Sequence, residues 1–104
     1  TTRSGTLKNK DRPSARDERR DAAEQRAQAK ALKDSVRKLD QQMERLRKDL
    51  AVLETRLADP AMYDAAKSAE VGKLTREQGE LKKKLDAAEE EWLQASEKLE
   101  SLSA

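Results

Sequence analysis

Six cations are spaced so that they could act together: Arg16, Arg19, Arg26, Lys30, Lys33 and Arg37. They follow one another at steps of three or four, with a single gap at Ala23. Steps of that size return to the same side of a helix. The stretch from Arg16 to Arg37 covers 22 residues, about 32 Å at a rise of 1.5 Å per residue. A cationic row of that length can track a phosphate backbone, each contact releasing a condensed counterion. Lys8, Lys10 and Arg12 could extend it. The competing reading is an ordinary solvated helix face, balanced by Asp17, Glu18, Asp21, Glu24 and Asp34. No aromatic residue interleaves with the row, so its residues support contact with phosphates and not readout of bases.

Other residues invite chemistry less strongly. Arg45, Arg47 and Lys48 form a second basic cluster and Lys82, Lys83 and Lys84 a third. Glu44, Asp49, Glu80 and Asp86 stand beside them as neutralising partners, and three adjacent lysines point three ways on a helix. Tyr63 could stack on a base, or close the end of a core with its hydroxyl on a backbone group. Trp92 reads as core. Glu89, Glu90 and Glu91 with Asp86 would have to raise a carboxyl pKa to serve as an acid–base pair, and an exposed helix face offers no cleft for that. Cys and His are absent from the sequence. Thiolate nucleophiles, imidazole bases, disulfides and the usual zinc ligands are therefore excluded. The expectation is a chain without a catalytic site, cofactor or metal.

These candidates are positioned by two apolar ladders. The first is Leu32, Val36, Leu39, Met43, Leu46, Leu50, Leu53 and Leu57. The second is Val71, Leu74, Gln78, Leu81, Leu85, Ala88, Trp92, Ala95, Leu99 and Leu102. Both alternate steps of three and four, the heptad pattern that puts one narrow seam on a helix. Asp59-Pro60-Ala61-Met62-Tyr63-Asp64 separates them. Two seams of similar length joined by a short break bury each other by folding back. The fold class is thus all-α, an antiparallel two-helix coiled-coil hairpin with a disordered N-terminal tail. The composition agrees: 42% charged residues, no Phe and a mean hydropathy of −1.11 leave a seam and no globular core. No concave pocket for a small molecule is expected.

Thr1 to Pro13 reads as a disordered basic linker, and residues 14–104 as the hairpin. Ser14 offers an N-cap. Helix 1 is expected over about 15–58, the turn over about 59–68 and helix 2 over about 69–102. Asp59 precedes a proline and is biased out of the helical region. Met62 and Tyr63 are the expected plug for the end of the seam. Gly72 and Gly79 each cost about 1 kcal/mol relative to Ala in a helix, making the start of helix 2 its softest part. With Val36 and Met43 at a and Leu39 at d, facing residue numbers should add to about 131 or about 124. The 131 register places Ala88 against Met43 and Trp92 against Leu39. It sets every small residue against a larger one, as close packing favours.

Charge is distributed unevenly: the first 20 residues carry a net +4, residues 21–58 a net +2 and the remainder a net −4. No apolar run approaches a membrane span, and no signal peptide is visible. A cytoplasmic protein without membrane contact is expected. Thr1-Thr2-Arg3 lacks an initiator Met, which reads as a piece of a longer chain.

The break Leu57-Ala58-Asp59-Pro60-Ala61-Met62-Tyr63-Asp64, closing a Leu-, Glu- and Arg-rich helix, and the later Glu90-Glu91-Trp92-Leu93-Gln94-Ala95-Ser96-Glu97 carry a family likeness. Together they resemble the C-terminal coiled-coil domain of ABC-F ATPases. In that family two tandem ATP-binding cassettes precede a charged linker and a helical hairpin. The stretch Lys8 to Arg20 is similar to that linker, and the likeness covers about residues 10–102. Its specific part is the Asp-Pro-x-x-Tyr break with the late Trp. The resemblance implies an auxiliary module of a cytoplasmic ATPase acting on ribosomal RNA or DNA, with the parent's own ATP-binding-cassette domains as a further partner. The chain itself contains no Gly-x-x-x-x-Gly-Lys-Ser/Thr loop to hold ATP.

The expected function is therefore non-catalytic binding of nucleic acid, rRNA or DNA, through Arg16, Arg19, Arg26, Lys30, Lys33 and Arg37, by a monomer. Two alternatives remain open. The hairpin could be a protein-interaction module that docks on its parent ATPase or self-associates through the weak seam Ala22, Gln25 and Ala29. It could also resemble the tRNA-contacting hairpin of some aminoacyl-tRNA synthetases.

Overall fold

A computed structural model of the chain describes residues 14–103. The expected linker, with Lys8, Lys10 and Arg12, lies outside the described residues.

Helix α1 runs Ala15–Ala58. Neither Gly nor Pro interrupts it. Ser14 is extended at its N-cap, and the Asp17 amide donates to Ser14 Oγ at 3.1 Å. Asp17 and Glu18 place negative charge in the first turn, where the helix dipole favours it. The helix stops where the sequence forbids continuation. Asp59 turns extended ahead of Pro60 (φ −70°, ψ 121°), and its amide donates to the Arg56 carbonyl at 3.2 Å.

Two short 3-10 turns, Pro60–Tyr63 and Ala65–Lys67, reverse the chain. Asp59 Oδ1 accepts from the Ala61 amide at 3.0 Å and caps the first. Helix α2 then runs Ser68–Ser103 and packs antiparallel on α1. At the entry to α2, Asp64 makes no side-chain cap hydrogen bond, and Ser68 is already helical.

All eighteen ladder residues are buried or half-buried. Elsewhere among the described residues only Ala22, Ala29, Met62, Gly72 and Ser96 escape full exposure. The core is a seam with no globular bulk beside it. Full burial of a Leu or Met side chain along it would contribute roughly 1.5–3 kcal/mol, and the half-buried and Ala positions contribute less. Ala88, only 3% exposed, clusters with Leu39, Met43 and Leu46, and Leu81, Leu85 and Trp92 pack against the group. That set centres Ala88 on Met43, which is the 131 register. A 124 register would centre it on Val36 with Leu32 as neighbour. Leu53, Met62 and Leu74 form a second cluster nearer the turn, flanked by Leu57, Val71 and Leu81. Met62 is therefore the plug of the seam. Tyr63 is not: its ring is 65% exposed, and its hydroxyl donates to the Leu57 carbonyl at 2.5 Å.

Candidate nucleic-acid interface

In the 131 register the last described residue of α2, Ser103, stands level with residue 28 of α1. The first 13 residues of α1, Ala15–Ala27, thus extend about 20 Å beyond the last described residue of α2. Arg16, Arg19 and Arg26 lie on this single-helix extension. Lys30, Lys33 and Arg37 lie where α2 has joined. All six side chains belong to one continuous helix without Gly or Pro, so their spacing is held by its backbone hydrogen bonds.

Each of the six is exposed, and among the described residues none forms an ion pair within 4.0 Å. Arg26, Lys30, Lys33 and Arg37 succeed one another at steps of four, three and four. Like charges at those spacings disfavour the helix by a few tenths of a kcal/mol per pair. Asp34 and Asp40 share the neighbourhood, yet neither closes on a stripe cation. The arrangement suits an external anion with repeating charge. An exposed row of this kind contacts phosphates and discriminates little between sequences.

The other basic clusters fare differently. Arg47 reaches across the hairpin to Glu89 at 3.4 Å, and Lys48 pairs with Glu44 at 3.3 Å one turn back. Arg56 bonds Glu70 across the helices at 2.8 Å beside the turn. With side chains 43–75% exposed, each bridge contributes under about 1 kcal/mol. Lys84 instead borders a groove on α2 with Lys73, Arg76, Glu77, Glu80 and Leu81, so acids interleave with the bases there. Arg47, Lys48 and Arg56 pair with acids, whereas Arg26, Lys30, Lys33 and Arg37, with Asp34 beside them, form no ion pair among the described residues. The two interhelical bridges escaped sequence reasoning. Opposite charges at seam-flanking positions were their only signal, and pairing them requires the register.

Trp92 sits in the seam as its heptad position requires, packed on the Ala88 cluster. Its Nε1–H is buried and has no hydrogen-bond partner among the described residues. The indole borders a groove with Asp40, Met43, Arg47, Glu89 and Leu93. The triplet Glu89, Glu90 and Glu91 is exposed, and among the described residues no group of three or more His, Cys, Asp or Glu could hold a metal ion. No described helix is long and apolar enough to cross a membrane.

A family model described as "ABC transporter C-terminal domain" matches residues 26–97. That span starts at Arg26 and takes in Lys30, Lys33, Arg37, the first ladder, the Pro60 break and the second ladder as far as Ala95. Arg16 and Arg19 lie ahead of it. No curated protein and no solved structure matches the chain.

Proposed function

The chain belongs to the ABC transporter C-terminal domain family, and on that premise we propose that it is a non-catalytic nucleic-acid-binding module of an ABC-F-type ATPase. The ligand is rRNA or DNA, held through its phosphates by Arg16, Arg19, Arg26, Lys30, Lys33 and Arg37. One observation carries this reading. Four consecutive cations, Arg26 to Arg37, are exposed along a continuous helix with no ion-pair partner among the described residues. Their mutual repulsion is relieved when a polyanion lies along them, and the released counterions drive association. Little sequence preference is expected, because no aromatic residue interleaves with the stripe and its contacts are to phosphates.

The test is a fluorescence-anisotropy titration of the chain against duplex DNA and a structured RNA at low salt. The double variant Arg26→Glu, Lys33→Glu should bind at least about tenfold more weakly, with its helicity unchanged by circular dichroism. Absence of binding by the parent chain at low salt sinks the reading. So does binding untouched by the double reversal.

A second reading is favoured by the extension of α1 past α2. The seam positions Ala22 and Gln25 continue the ladder past Ser103, the last described residue of α2, while Ala29 faces Leu102 in the 131 register. A helix of the parent's ATP-binding cassettes, or a second copy, would complete it. Sedimentation equilibrium separates the two: a stable dimer supports this reading, and a monomer that binds nucleic acid supports the first.

A further inference from the structure

We propose that the hairpin carries a compliant joint at the Gln78–Leu81 level of α2, about which the turn end bends relative to the paired stalk. Three independent observations meet there. First, the buried seam is not one cluster. Leu39, Met43, Leu46 and Ala88 form one, and Leu53, Met62 and Leu74 another; the half-buried Leu81 is the residue that packs against both. Leu50, which faces Leu81 in the 131 register, is buried but belongs to neither.

Second, the seam position next to this boundary is Gln78, half-buried and facing Leu53. Its amide contributes little apolar burial, and among the described residues it makes no side-chain hydrogen bond to replace it. A groove lined by Asp49, Val52, Leu53, Glu77 and Leu81 opens at the same level, and Leu81 borders a second one with Lys84.

Third, Gly79 follows Gln78, and Gly72 lies two turns earlier. A Cβ added at either would meet nothing within 4 Å, and neither has a positive φ. Packing and backbone geometry therefore do not require glycine at these positions. What glycine does supply there is a helix that opens more readily than one built with alanine. Weak helix, polar seam and divided core coincide within one turn, so bending strain concentrates there. The joint stands whether or not the stripe binds nucleic acid.

Amide hydrogen exchange followed residue by residue by NMR on the whole chain tests the joint. Amides of residues 76–82 should exchange at least tenfold faster than those of 39–46 and 85–92. The variant Gln78→Leu, Gly79→Ala should slow the first group by at least tenfold while changing the second by less than threefold. Uniform protection along α2 in the parent chain overturns the joint. A variant that slows both groups by the same factor also overturns it, because it shows only a global gain in stability.

Discussion

Leu74→Ala probes the turn end of the seam most sharply. Leu74 is 3% exposed, packed with Leu53 and Met62 and flanked by Leu57 and Val71. Removing its isobutyl group loses transfer energy and leaves a space that two helices tied by a tight turn refill poorly. A buried Leu→Ala change costs 2–5 kcal/mol, so about 3 kcal/mol is expected here. For a chain of this size each kcal/mol lowers Tm by roughly 4–8 °C, giving a fall of about 12–24 °C. Val52→Ala is the control, since Val52 is 59% exposed and belongs to neither buried cluster; a change within about 0.5 kcal/mol is expected. Thermal melts followed at 222 nm by circular dichroism read both. A Tm for Leu74→Ala no lower than that of Val52→Ala refutes the seam packing as described.

The remaining predictions concern register and caps. Cysteines introduced as Met43→Cys and Ala88→Cys should form an intramolecular disulfide on oxidation, whereas Val36→Cys with Ala88→Cys should not. Closing that loop of about 45 residues should stabilise the hairpin by about 4 kcal/mol, read on non-reducing gels and in denaturant melts. Preferential bridging of Val36→Cys would establish the 124 register instead. Tyr63→Phe removes the bond to the Leu57 carbonyl and should cost about 0.5–1 kcal/mol, without change in nucleic-acid affinity; a large loss of affinity would make Tyr63 a binding residue. Ser14→Ala removes the cap on the α1 extension and should cost about 1 kcal/mol, seen as lost helicity at the amides of residues 15–18.

The hairpin is legible in the sequence because a narrow core demands a strict period. Eighteen ladder positions are marked by spacing, and all eighteen are buried or half-buried. Asp59-Pro60 marks the reversal by the steric rule for residues before proline. Register is partly readable: the 131 alignment sets every small seam residue against a larger one, whereas the 124 alignment sets Ala29 against Ala95. Features set by three-dimensional offset are less legible. The Arg47–Glu89 and Arg56–Glu70 bridges join residues 42 and 14 apart in sequence. Met62 and Tyr63 are adjacent and both apolar in part, yet the 3-10 turn aims one at the seam and the other outward. The division of the core at Leu81 depends on which layers face Gln78, again a consequence of register. The cationic stripe shows in the sequence as spacing alone. Side chains that meet phosphate from solvent need no cavity and no buried partner, so the fold adds to them only a straight, continuous backbone.

Phosphate contact by the stripe is tested most directly by the salt dependence of duplex DNA binding. If three to six of the cations each neutralise a phosphate, log Kobs should fall with log salt at a slope of about −3 to −5. Reversing Arg26 and Lys33 together should make that slope shallower by about 2. A slope near zero, or one that the double reversal leaves unchanged, contradicts phosphate binding by these residues.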